Sequence, residues 1–158
     1  MDPLQDSFDR MQDQILAIVD LLNARHKGGV DYGTGDRLSP VEAHTIRAVG
    51  ENQGLNLTAL AAIMKVTKAT MSERVKKLAR QGMLRKSRAL DNRKEILITL
   101  AEKGRIVHEN HEESHRKTLE RVVSHYGDRT EEQLALFNRA FSDYLALARL
   151  IEGRRKTG

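Results

Sequence analysis

The stretch Thr58-Ala59-Leu60-Ala61-Ala62-Ile63-Met64-Lys65-Val66-Thr67-Lys68-Ala69-Thr70-Met71-Ser72-Glu73-Arg74-Val75-Lys76-Lys77-Leu78-Ala79-Arg80-Gln81-Gly82 decides the fold. It reads as two helices joined by a tight turn. The first is short, from about Thr58 to Met64. Val66 and Thr67 form the turn, and Thr67 is the expected N-cap of the second helix. That helix ends at Gln81-Gly82, where glycine suits a left-handed stop. Val66, Met71, Val75 and Leu78 are expected in the core.

Downstream, the period changes. Met83 to Ala89 alternates, and Ile96 to Leu100 is β-branched and apolar, with a polar tip at Leu90-Asp91-Asn92-Arg93-Lys94 between them. This predicts a two-stranded hairpin. Two short helices, a tight turn and a hairpin make the order of a winged helix-turn-helix. In such a unit the N-terminal residues of the second helix face base edges in the DNA major groove. Those residues are Thr67, Lys68, Ala69, Thr70, Ser72 and Glu73. Short hydroxyls permit close approach, and the alanine methyl can meet a thymine methyl. Lys76, Lys77 and Arg80 suit phosphates. Asn92 and Arg93 stand at the wing tip, where a guanidinium can enter a narrow minor groove.

Charge placement agrees. Net charge is only +5 over 158 residues, but Lys65 to Lys94 holds eleven Lys/Arg against Glu73 and Asp91, a local +9 that leaves the remainder at −4. A basic segment in an acidic body suits a polyanion, because each neutralised phosphate releases counterions. The bland alternative is a solvated basic face.

On either side the sequence reads as long helices. Phe8, Met11, Ile15, Ile18, Val19 and Leu22 stripe a first helix over Leu4 to about Arg25. His26 to Asp36, with four glycines, is expected as a loop. Ser39-Pro40-Val41-Glu42 predicts a capping box opening a helix to about Glu51. A fifth helix is expected from about Ala101 to Tyr126. Thr130-Glu131-Glu132-Gln133 predicts a second capping box, opening a last helix that carries Leu134, Phe137, Phe141, Leu145 and Ile151. The expected architecture is mainly α with a small β-hairpin wing: residues 38–100 form the winged helix-turn-helix, and 1–37 with 101–158 form a helical dimerisation region. No apolar run reaches the roughly 20 residues that span a bilayer, and the N-terminus lacks a signal-peptide pattern, so a cytoplasmic protein is expected. Zero cysteine excludes disulfides and thiolate metal sites.

Leu60-Ala61, Thr67 to Ser72, Leu78 to Leu84, and Asp91-Asn92-Arg93 followed by Ile98-Thr99-Leu100-Ala101-Glu102-Lys103-Gly104 resemble the MarR family. The likeness covers nearly the whole chain. One departure is Ala101, where the family usually has Thr. The resemblance implies a homodimeric transcription regulator, typically a repressor, and not an enzyme. Its first, fifth and sixth helices would build the dimer. A two-fold dimer places two reading helices one DNA turn apart, roughly 34 Å, on a pseudo-palindromic operator.

The fifth helix holds His108, His111 and His115. His111 and His115 stand where the apolar stripe of positions 107, 111, 115, 119 and 122 calls for leucine. Four residues apart, they share a face and can share an ion. His108 and His115 are about 10.5 Å apart along the axis, which leaves His108 without an assigned role. The alternative is a polar helix in a wet cleft. The sequence resembles the zinc-sensing branch of the family in carrying a second-helix histidine at His44 and the pair at His111 and His115. That branch has Glu where His26 stands, and zinc accepts either donor. The resemblance thus implies a zinc site of His26, His44, His111 and His115. With no cysteine, and with Ala43 and Asn110 at flanking positions, the branch's second site is not expected. The rival within the family is a repressor released from DNA by a small aromatic or phenolic effector in the same pocket. A metal-dependent hydrolase is disfavoured, because His108-Glu109-Asn110-His111 is one residue short of H-E-x-x-H.

Overall fold

The helices begin where side chains can satisfy their free N–H groups. Asp2 caps α1 (Pro3–His26), its carboxylate accepting from the Leu4 N–H at 3.0 Å, with Pro3 in the first turn. Ser39 caps α2 (Pro40–Glu51) with the expected box: Glu42 Oε2 accepts from the Ser39 N–H at 2.9 Å while Ser39 Oγ accepts from the Glu42 N–H. Asn56 caps the short α3 (Leu57–Ile63), and Thr67 caps α4 (Lys68–Arg80), its hydroxyl accepting from the Thr70 N–H at 3.1 Å. Between α3 and α4, Lys65 takes φ +52°, a left-handed conformation for a residue with a Cβ. Gly82 ends α4 at φ +73° and turns the chain into the wing, as the sequence reading expects.

The computed structural model describes residues 2–52, 54–88 and 96–155. The wing strands are β4 (Leu84–Arg88) and β5 (Ile96–Leu100), antiparallel, with Leu84 opposite Leu100 and Lys86 opposite Ile98. The expected wing tip, with Asn92 and Arg93, lies outside the described residues. Two features go beyond the sequence reading. β3 (Leu55–Asn56) adds a third strand to β5, giving the order β3, β5, β4. And the glycine-rich stretch, expected as a loop, forms a small hairpin of β1 (Val30–Asp31) and β2 (Arg37–Leu38), in which Val30 faces Leu38 and Asp31 faces Arg37. Two-residue strands are too short for alternation to reveal, and partners elsewhere in the chain make them. Within that hairpin, Asp31 Oδ1 accepts the N–H groups of Gly33, Thr34 and Gly35 at 2.9, 3.0 and 3.1 Å. These N–H groups, Thr34's above all, hold its carboxyl below the usual range.

Residues 1–112 and 113–158 form two compact units, with the division inside the continuous helix α5 (Glu102–Tyr126). In the first unit the core sits beneath α2, α3, α4 and the sheet. Leu38, Ile46, Leu60, Met71, Leu78 and Ile98 are fully buried. Val107 joins them from the first turns of α5. The expectation for Met71, Val75 and Leu78 holds, and Val66 packs half-buried against this core.

The exit from the wing into α5 is the tightest point. The Met83 carbonyl accepts the Ala101 N–H at 2.9 Å. A Cβ placed on Gly104 would lie 2.0 Å from that same carbonyl oxygen. Only glycine lets α5 start this close to the end of α4.

In the second unit a short 3₁₀ turn, Gly127–Arg129, links α5 to α6 (Thr130–Arg155). Here the second predicted capping box is not the cap. Thr130 is itself helical, at φ −57° and ψ −47°, and its hydroxyl donates back to the Gly127 carbonyl at 2.6 Å. The 3₁₀ turn feeds directly into the helix, so no extended residue precedes it. Tyr126, Phe137 and Phe141 stack in sequence, with ring centroids 6.2 and 6.3 Å apart. No helix among the described residues is long and apolar enough to cross a membrane.

Gly104→Ala should cost about 2–3 kcal/mol, because the clash is with backbone and the helix start must move. Urea unfolding of the two proteins checks this, and equal midpoints would contradict the close approach.

Candidate DNA interface and metal centre

The capped N-terminus of α4 presents the predicted reading residues to solvent. Thr67, Lys68, Ala69, Thr70 and Glu73 are exposed, and Ser72 is half-buried. Thr67 and Thr70 Oγ atoms are 2.9 Å apart, so the two hydroxyls hold each other while the first also caps. Lys76 is exposed and pairs with Glu73 at 2.7 Å. That bond keeps the Glu73 carboxyl below its usual range. The exposed start of α4 thus presents hydroxyls and a methyl group, with its one acid already neutralised by a neighbour.

Other basic groups of α4 face the body. Lys77 Nζ lies 2.5 Å from Oε1 of Glu42, a buried residue of α2. Arg74 Nη1 reaches Thr45 Oγ1 at 3.4 Å, and that hydroxyl donates to the Val41 carbonyl at 2.7 Å. Burial pushes the Glu42 carboxyl up. The Lys77 ammonium and the Ser39 N–H and O–H together outweigh it, and the carboxyl ends below its usual range. One acid thus closes the α2 capping box and ties α2 to α4. Of the predicted DNA residues, Lys77 is therefore engaged in holding the helix pair.

The histidines gather around α5. His111 is buried at 2% exposure, while His44 on α2 is exposed, with the two ring centroids 5.3 Å apart and nearly perpendicular. His115 follows one turn along α5 and is exposed. His44, His111 and His115 each offer one ring nitrogen, all within 4.8 Å of one another. Tetrahedral zinc with Zn–N of about 2.0–2.1 Å sets its donors roughly 3.3 Å apart, a gap that side-chain rotation can close. Three imidazoles form a donor set that suits zinc and other borderline divalent ions. His26, half-buried at the end of α1, is not part of this group.

Three further residues meet the centre without a sequence signal. Tyr32, from the glycine-rich hairpin, places its ring 5.4 Å from that of His111. Asn110 Nδ2 donates to the Tyr32 carbonyl at 2.8 Å, and Lys103 pairs with Asp36 at 2.8 Å, so α5 holds the hairpin at two points. Glu112 Oε1 lies 3.6 Å from His111 Nδ1 and 3.0 Å from Arg47 Nε, and Arg47 also meets Glu51 at 2.9 Å. His108 packs its ring on Gly50.

Comparison with known proteins agrees with this architecture. Residues 38–96 match the MarR family. The chain is 34% identical over 114 residues to the uncharacterized HTH-type transcriptional regulator YhjH of Bacillus subtilis, covering 72% of this chain and 65% of that protein's length. Its fold is similar to Streptococcus pneumoniae FabT in complex with DNA, at TM-score 0.69 and 22% identity, covering 90% of this chain and 99% of FabT. It is also similar to Lactococcus lactis ZitR, described as a zinc-responsive MarR family member, at TM-score 0.61 and 19% identity, over 85% of this chain and 99% of ZitR. The MarR family match falls on the winged helix-turn-helix, from α2 to the start of β5.

Glu42→Gln should destabilise the protein by about 1–2 kcal/mol at pH 7, the worth of hydrogen bonds to a buried charge. The wild-type carboxyl titrates below its unfolded value. Its contribution is therefore complete above the unfolded pKa of about 4.3 and fades as pH falls through the lower folded value. Urea unfolding from pH 7 down to 3 should show the two proteins converging at the acid end.

Proposed function

We propose that this protein is a homodimeric DNA-binding transcription regulator, responsive to zinc, and not an enzyme. The observation that carries the metal reading is the set of three imidazole nitrogens, from His44, His111 and His115, within 4.8 Å of one another. The DNA reading is supported by the exposed N-terminus of α4 on a MarR-family winged helix. Residues 38–100 read DNA in this proposal. Residues 1–37 and 101–158 dimerise, and the exposed Leu16, Leu21 and Leu22 on α1 and Phe141, Leu145 and Leu150 on α6 supply an apolar surface for it. A helix with such a face needs a partner.

Bound zinc would supply a fixed positive centre that draws α2 and α5 together. His111 is the buried anchor, with the Glu112 carboxylate 3.6 Å from its Nδ1. His44 brings in α2, the helix tied to α4 through Glu42 and Lys77. His26 is the proposed fourth ligand. A coupling of about 1–3 kcal/mol between metal and DNA suffices for a switch. The direction proposed is tighter operator binding when zinc is bound.

Calorimetric titration of chelator-stripped protein should give one zinc per chain with affinity tighter than micromolar. The His111→Ala, His115→Ala double variant should lose at least a hundredfold. Saturable binding weaker than micromolar in the wild type, or equal binding in the variant, defeats the metal reading and favours an organic effector. Separately, selection of duplexes from a random pool with zinc present should return two half-sites about 10 base pairs apart, centre to centre. Recovery of sequences without a repeated half-site would contradict the dimeric reader.

A further inference from the structure

We propose that the ion pair of Glu73 and Lys76 on α4 reads one C·G base pair in each operator half-site. The carboxylate accepts from cytosine N4–H, and the ammonium donates to guanine O6 and N7. The inference rests on α4 being the helix that enters the major groove.

Glu73 is the one acid of α4, among Lys68, Arg74, Lys76, Lys77 and Arg80. It stands two residues from Met71 and two from Val75, both fully buried. At 3.6 residues per turn, that puts it on the side of the helix away from the core. Ala69, Lys76 and Arg80 share that side, and all four are exposed. On a helix that meets DNA, an acid there only repels phosphate. It becomes favourable where a base edge offers it a hydrogen-bond donor, and cytosine N4 is such a donor.

The choice of partner agrees. The better Glu–Lys spacing on a helix is four residues, which from Glu73 is Lys77. Lys77 instead meets Glu42, at 2.5 Å. Glu73 pairs with Lys76 at 2.7 Å, and both side chains stay largely exposed. A pair so exposed adds little to stability. The Lys76 hydrogen bond, with the charges of Lys76, Arg80 and Lys86, keeps the Glu73 carboxyl below its usual range and ionised.

The pair matches the edge of C·G. In the major groove that edge shows one donor, cytosine N4, beside two acceptors, guanine O6 and N7. N4 and O6 are hydrogen-bonded to each other, about 2.9 Å apart. Glu73 Oε1 and Lys76 Nζ are 2.7 Å apart. Each charged atom can therefore meet its complement without the ion pair opening. An A·T edge fits less well. Its one donor, adenine N6, lies between two acceptors, adenine N7 and thymine O4, which repel a carboxylate, and the thymine methyl crowds the ammonium.

The test selects duplexes from a random pool with full-length protein, beside Glu73→Gln and Lys76→Ala, with zinc and again with chelator. Both residues are exposed, so the unfolding midpoints should change little. Wild type should return half-sites with C·G at one position. Replacing that pair by A·T should weaken binding about tenfold in fluorescence anisotropy. Glu73→Gln should bind the two duplexes equally or prefer A·T, because glutamine pairs with adenine N6 and N7. Lys76→Ala should lose affinity for the C·G duplex and keep most of it for the A·T duplex. Base preferences identical in wild type and Glu73→Gln overturn the proposal and leave α4 as the reader. So does a Lys76→Ala variant that weakens every duplex equally and lowers the salt slope by about one, the mark of a phosphate contact. No shared half-site in any of the three proteins, with or without zinc, overturns the reading of α4 and this proposal with it.

Discussion

The close approach of α5 to the Met83 carbonyl is the constraint on which the first unit depends. Gly104 has no side chain to hold the helix away, and the Ala101 N–H bonds the same oxygen. The helix therefore leaves the wing at one fixed point and direction. Val107 falls into the core one turn later, and His111 is buried one turn after that. From this line α5 reaches the glycine-rich hairpin through Asn110 and Lys103, and α2 through Glu112 and Arg47. A shift of that first turn would move each of these partners together, because helices transmit displacement along their axis while packed cores resist it.

The second organising feature is a division of labour among the positive charges. The basic segment looks uniform in sequence, but its members have different tasks. Lys77 and Arg74 are turned to α2, where Glu42 and Thr45 receive them. Lys68 and Lys76 stay at the exposed surface of α4. Arg85 lies against Thr99 at the wing base. A buried carboxylate such as Glu42 is costly unless it is fully bonded, and three donors from two helices meet that requirement. These contacts tie α2 to α4.

Much of this was legible in the residues. Ser39 with Glu42, Thr67, Gly82 and the apolar positions of α4 announced the helix ends and the core, because caps and periodicity are local chemistry. The strand Ile96–Leu100 was legible for the same reason. The histidine spacing put His111 and His115 on one face of α5, a consequence of helical geometry alone. Thr130 misled, since a 3₁₀ turn upstream made it part of the helix. The small hairpin and the third wing strand were hidden, as two-residue strands are too short to show alternation. Tyr32, Arg47 and Glu112 beside His111 were hidden likewise, and so was the pairing of Lys77 with Glu42. The sequence by itself determined the helices, the wing and the chemical types at hand, because these follow from neighbours within a few positions. Only the tertiary structure decided which charges are spent on packing and which nitrogens share a centre, because that depends on where separate helices cross.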